Sequence, residues 1–251
     1  MGKNARIASL RLLPAAGIAM MLTACGGNGE SHGNAAGRYY GTFTQGTTSS
    51  SVTGMVSLRD QVILQSSIGQ IYAGTLTEKG TALSSTLNVY DISAGNAYSA
   101  IGVLHTTASF TGNMDQIAKT FIEGDAVSAG ETTKVYLTYD ASASAVTALL
   151  SSLAGNYTGS DTNTSESLSL QITSSGALTG TDTAGCTYAG QVSVPKSTVN
   201  AYDVSNASIN CPNGGTSITG WGLISMDTSS QISLGVISSD ASRVALAVLS
   251  K

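Results

Sequence analysis

The chain has 251 residues, of which 41% are hydrophobic and 10% charged, with 11 basic and 15 acidic side chains and a formal charge of −4. It can bury a core, which excludes wholesale disorder. Its basic residues are scattered, which excludes the clustered Lys and Arg of nucleic-acid binders and argues against polyanions and acidic membrane surfaces as partners.

At the start, Lys3, Arg6 and Arg11 lead into an apolar run over residues 12–22, followed by small residues and Cys25. This is the layout of a secretory signal, and the apolar run is too short to span a bilayer as a helix. Leu22-Thr23-Ala24-Cys25 resembles the lipobox of bacterial lipoproteins. The resemblance implies that residues 1–24 are a signal peptide, that the Cys25 thiol receives a diacylglyceryl group, and that the new amino terminus is acylated. Two or more acyl chains give a stable anchor where one is marginal. Gly26, rather than an aspartate, follows the cysteine, which by the same resemblance implies the outer membrane. Residues 25–36 form a lipidated tether, because "GGNGESHGNAA" is glycine-rich, polar and without periodicity. Cleavage would remove three basic residues and no acid, taking the charge to −7.

Beyond the tether the hydrophobic period is two. "SVTGMVSLRD", "ESLSLQITSS", "SQISLGVISS" and "RVALAVLS" alternate small polar with apolar residues, the signature of antiparallel strands with one buried face. Turn residues recur about every ten positions, as in a barrel or sandwich. Four motifs occur twice in the same order: Gly37-Arg38-Tyr39-Tyr40-Gly41 with Gly155-Asn156-Tyr157-Thr158-Gly159, Tyr72-Ala73-Gly74 with Tyr188-Ala189-Gly190, Tyr90-Asp91-Ile92 with Tyr202-Asp203-Val204, and Asp140-Ala141-Ser142 with Asp240-Ala241-Ser242. A duplicated unit is expected. The fold class is therefore all-β, with two tandem antiparallel barrel-like or sandwich domains of about eight strands each, over 37–150 and 151–251. Closure into barrels hides strand edges. The opening G-x-Y-x-G and the strand meander resemble lipocalin-like barrels and the barrel domains of bacterial surface lipoproteins.

The displacement between matching motifs shrinks along the chain, so the first unit carries extra residues, which we place in 112–131 as an added strand pair or a surface loop. Asp115, Phe121, Glu123 and Asp125 in that stretch combine acids that steer encounter with an aromatic that can anchor a partner. Alanine-rich residues 141–155 have helix propensity but read as the last strand of the first unit, mirrored by "ASRVALAVLS", and a tight turn into Gly155, with a single helical turn at Leu149, Leu150 and Leu153 compatible. With Cys25 lipidated, Cys186 and Cys211 remain as a disulfide pair in an oxidising compartment. Two thiols without neighbouring histidines fall short of a zinc set.

Catalytic motifs are missing. His105 sits in a strand-like run, G-x-S-x-G does not occur, and Ser193–Lys196 satisfies S-x-x-K without its S-D-N and K-T-G companions. Asp161–Ser165 places oxygen ligands at alternate positions, but Glu166 and Ile172 stand where an EF-hand needs glycine and a bidentate acid. No cofactor is expected. Three functions remain: an outer-membrane lipoprotein that binds a protein partner, a carrier of a small apolar ligand inside a barrel, and an enzyme invisible to motifs. An apolar cavity of a few hundred cubic ångströms would favour the carrier.

Overall fold

The fold is that of a computed structural model in which residues 35–115, 120–163, 165–212, 217–228 and 230–251 are described. It is all-β apart from two single-turn helices. The first nine strands are β1 (Gly37–Gln45), β2 (Thr48–Val56), β3 (Gln61–Ser66), β4 (Gln70–Thr75), β5 (Thr77–Lys79), β6 (Ala82–Gly95), β7 (Ser99–Met114), β8 (Phe121–Ser128) and β9 (Glu131–Tyr139). After α1 (Ala141–Ser144) and α2 (Leu150–Leu153) come β10 (Gly155–Asp161), β11 (Glu166–Ile172), β12 (Ala177–Asp182), β13 (Thr187–Ser193), β14 (Tyr202–Asn210), β15 (Ile218–Thr228), β16 (Gln231–Ser238) and β17 (Arg243–Ser250).

Strands β1–β4 and β6–β9 form one closed antiparallel barrel of eight. Each pairs with the next, β4 pairs with β6, and β9 returns to β1 over seven residue pairs from Tyr39–Tyr139 to Gln45–Thr133. The other nine strands lie outside it. The short β5 runs beside β6, and β10–β17 pair consecutively as a second antiparallel sheet. Alternation puts apolar residues inside: in β11, Leu168, Leu170 and Ile172 are buried while Ser169 and Gln171 are exposed.

The expected second closed barrel is not established, because β10 and β17 share a single register pair, Thr158–Ser250. Something else occupies that seam. Beyond Asp91, the last β6 residue paired with β4, the β6–β7 hairpin overshoots the first barrel and continues along β17. There β17 pairs with β7 from Arg243–Val103 to Ala247–Ser99, and the Val248 N–H donates to the Tyr98 carbonyl at 2.8 Å. A buried apolar cluster of Ile63, Ile71, Tyr90, Leu223, Ile237 and Val244 joins the outer faces of the two strand sets. Ion pairs Arg38–Asp227 and Arg59–Asp203 (2.9 Å) join their polar margins.

The twice-occurring G-x-Y-x-G has one structural role in both places. Gly37 and Gly155 open their strands at φ +148° and +155°, a region that strains any residue with a Cβ. The Tyr39 hydroxyl then donates to the Ala35 carbonyl at 2.8 Å, and the Tyr157 hydroxyl to the Leu153 carbonyl at 2.6 Å. Tyr72 and Tyr188 likewise sit on the fourth strand of each set, against the respective cores. The other two matches diverge. Tyr90 follows a β-bulge and joins the cluster between the sets, whereas Tyr202 faces the second core. Asp140 follows the last strand of its set, whereas Asp240 precedes the last strand of the other.

Three local expectations are corrected. Residues 141–155 are not a strand: Asp140 accepts the Ala143 N–H at 3.0 Å and caps α1, and Ala148 and Leu153 are fully buried in the second core. A side-chain cap on an alanine-rich run favours a helical turn over the strand that its match to residues 241–250 suggested. The described residues of 112–131 are neither an added strand pair nor a surface loop but chiefly the end of β7, all of β8 and the start of β9, integral to the barrel. Ala35 and Ala36, at the end of the expected tether, are fully buried, with the Ala35 N–H donating to Glu78 at 2.8 Å.

Candidate functional site

Cys25 lies outside the described residues. Cys186 and Cys211 form a disulfide across 25 residues of sequence, joining the approach to β13 with the end of β14. The other four predicted residues fall on one side of the first barrel. Half-buried Phe121 stacks on exposed Tyr136 with centroids 6.1 Å apart. Glu123 is the cross-strand partner of Tyr136, and Asp125 pairs with Lys134 Nζ at 2.8 Å. Asp115 accepts a hydrogen bond from the Thr120 hydroxyl at 3.0 Å. Tyr40, half exposed, lies one strand away across Thr138, so the face carries three aromatic rings among polar side chains. His105 is exposed on β7, with Nδ1 3.1 Å from Asp91.

Sequence reasoning missed the principal concavity. The middle of the first barrel is packed by Phe43, Tyr72 and Phe110, which leave about 20 Å³, and a recess of about 220 Å³ opens at one end beside Gln45, Gln70, His105 and Glu131. In the second strand set a cavity of about 310 Å³ opens beneath the tip of the β6–β7 hairpin. Its inner wall is apolar, from Leu168, Ile209, Leu234, Val236 and Ala247. The disulfide forms part of one side, and Asn96, Tyr98 and Ile101 of the hairpin form another. Glu166, Asp182 and Tyr188 also line it. A single fold thus assembles one container from two strand sets distant in sequence.

The hairpin tip is fixed by a local turn and by the acids it meets. Asn96 Oδ1 accepts from the Tyr98 and Ser99 N–H groups at 3.1 and 2.9 Å and from the Ser99 hydroxyl at 3.0 Å, the self-bonding that makes Asn a turn residue. Its Nδ2 donates to Glu166 at 2.8 Å, and the Ala97 N–H donates to Asp161 at 3.3 Å. The calcium-like loop at Asp161 therefore helps to hold a hairpin. Tyr98 lies over Gly159, where a Cβ would fall 2.7 Å from its Cγ. The second glycine of G-x-Y-x-G is what admits the ring.

Both tyrosines of the cavity are held neutral. Burial foremost pushes the Tyr98 hydroxyl pKa up, opposed by its bond to Asn96 and aided by the charges of Glu166, Asp182 and Asp161. Tyr188 is pushed up by burial, then by donating to Asp182 at 2.8 Å and by that carboxylate's charge. Asp182 also accepts the Cys186 N–H at 2.9 Å, which ties its position to the disulfide. Among the described residues no group of three or more His, Cys, Asp or Glu has the arrangement of a metal site.

No family model matches the chain, and no curated protein matches it. Solved structures with a similar course include a protein of unknown function from the DUF3598 family of Nostoc punctiforme, 12% identical over 88% of this chain and 96% of that one, at a TM-score of 0.25. Transferrin binding protein B (TbpB) from serogroup B Neisseria meningitidis is 9% identical over 81% of this chain, at a TM-score of 0.29. A TbpB double mutant from Haemophilus parasuis is 7% identical over 84% of this chain, at 0.28. The chain spans 59% and 62% of those two TbpB chains. Likeness at this level is to a strand-rich fold and assigns no residue a role.

Proposed function

We propose that this is a lipid-anchored outer-membrane protein that acts by binding rather than by catalysis, and that its ligand is a small apolar molecule held beneath the β6–β7 hairpin. The observation that carries the proposal is the cavity of about 310 Å³, which is within the range of small-molecule sites, as is its apolar wall with a few polar groups at one side. On this view residues 37–150 and 151–251 are two related domains. The second is a barrel-like container whose incomplete seam is closed by a hairpin from the first. The Cys25 anchor, reached through residues 25–36, is consistent with a task at the envelope.

A neutral fluorescent probe of apolar sites, 1-aminoanthracene, tests the binding proposal on the full chain. Saturable uptake at one site, abolished by Ala247→Trp, which fills the cavity, supports it; no uptake by the wild type, or equal uptake by the folded variant, overturns it. Labelling with a radioactive fatty acid tests the anchor: label retained by Cys25→Ser removes it. A second mode of binding rests on the exposed face of Tyr40, Phe121 and Tyr136, where aromatics beside Glu123 and Asp125 fit a protein partner's hot spot. Partner capture that survives Ala247→Trp but fails in Tyr136→Ala would locate it there.

A further inference from the structure

Resting on the binding proposal above, the geometry points to a specific ligand class: an amphiphile with a short apolar tail and an ammonium head. The tail follows from the apolar wall. The head follows from the side chains that interrupt that wall. Among the described residues every charged side chain in the lining is an acid, Glu166 or Asp182, and both aromatic residues are tyrosines, Tyr98 and Tyr188. Aromatic faces and carboxylates together are what a quaternary or protonated amine requires, since the ring quadrupole and the carboxylate charge both attract a cation. The same set repels a fatty acid, whose carboxylate finds no Lys, Arg or His among the described lining residues to receive it.

Asp182 is the centre of this selection. Tyr188 Oη donates to one of its oxygens at 2.8 Å and the Cys186 N–H to the other at 2.9 Å. Both donors are neutral groups, so they orient the carboxylate without cancelling its charge. Tyr98, seated on Gly159 and secured through Val248, brings its ring to the same cavity from the hairpin side. The hairpin therefore supplies part of the recognition surface as well as the closure, which gives the overshoot of β6 and β7 a function.

Three ligands with one tail separate head from tail: octyltrimethylammonium, octanol and octanoate, titrated calorimetrically into the full chain at low ionic strength. The ammonium should bind about tenfold more tightly than octanol, the worth of one desolvated cation–π contact or nearby carboxylate, with octanoate weakest. Asp182→Asn, which keeps an acceptor for the neighbouring N–H, should lower ammonium affinity toward that of octanol and leave octanol unchanged. Glu166→Gln, at an exposed position, gives a second reading in the same direction should the first variant misfold. Equal affinity for all three ligands, or tighter octanoate, overturns the head-group assignment while leaving the cavity in place. Binding of none of them, in a protein that also ignores 1-aminoanthracene, overturns the binding proposal itself.

Discussion

Gly159→Ala is the sharpest perturbation of the seam. The added methyl would stand 2.7 Å from Tyr98 Cγ, 2.8 Å from Tyr98 Cβ and 2.7 Å from Leu249 Cδ2. The leucine methyl can rotate away, but the tyrosine atoms are close to the main chain, so the hairpin must withdraw. Overpacking of this kind costs about 1–3 kcal/mol, and withdrawal of Tyr98 also threatens the Val248–Tyr98 backbone bond, worth about 1 kcal/mol. For a chain of this size each kcal/mol lowers Tm by about 2–4 °C. Calorimetry should show that loss, and hydrogen exchange should accelerate in residues 94–101 and in β17 while β1–β4 stay protected. Gly41→Ala, at the matching place in the first barrel, sets the scale. Its methyl would meet the Tyr136 carbonyl oxygen at 1.9 Å, backbone that cannot rotate away, so it should cost more and loosen the β1–β9 seam. An unchanged Tm and unchanged exchange at residues 94–101 in Gly159→Ala would refute the seam as described.

Reduction of Cys186–Cys211, which closes 25 residues, should destabilise the second strand set by about 3.5 kcal/mol through the freed unfolded chain; denaturant unfolding with and without reductant checks it, and no shift removes the contribution. Asn200 is fully buried and holds the Ala143 and Met226 carbonyls at 2.8 and 2.6 Å and the Met226 N–H at 3.0 Å, so Asn200→Ala should cost about 3 kcal/mol from orphaned backbone groups, measured by urea unfolding. Asp140 is held below the usual carboxylate range, chiefly by the Ala143 N–H and then by the Ser142 hydroxyl. Its stabilising effect is complete above the ordinary carboxylate pKa and is lost as pH falls through the depressed one; Asp140→Ala should therefore lower stability by about 1 kcal/mol near pH 6, and the difference from wild type should shrink as the carboxylate is protonated in acid. Tyr157→Phe and Tyr39→Phe should each lose about 1 kcal/mol from equivalent buried hydroxyl–carbonyl bonds, and a loss in one alone would break the structural equivalence of the two motifs.

Local physics determined what the sequence could announce. Period-two alternation dictated strands because side chains on a strand point alternately to opposite faces, and β11 buries Leu168, Leu170 and Ile172 accordingly. The G-x-Y-x-G repeats were legible because each residue answers a local demand: a positive φ, a hydroxyl aimed at a carbonyl four residues back, and a close crossing. Cysteine count led to the Cys186–Cys211 pair. The third repeat match misled because Tyr90 and Tyr202 share letters but face opposite ways, and a single bulge is enough to turn a side chain over; the fourth misled because Asp140 follows the last strand of its set and Asp240 precedes that of the other. Only the tertiary structure decided the site. The cavity joins a hairpin tip at residues 94–101 to walls more than sixty residues later in the chain, and no local period records that a hairpin two strands long will overshoot its barrel and fill another sheet's seam. Whether β10 closes fully on β17 depends on what competes for the β17 edge, and that competitor, the exposed flank of β7, exists only once the first barrel has folded.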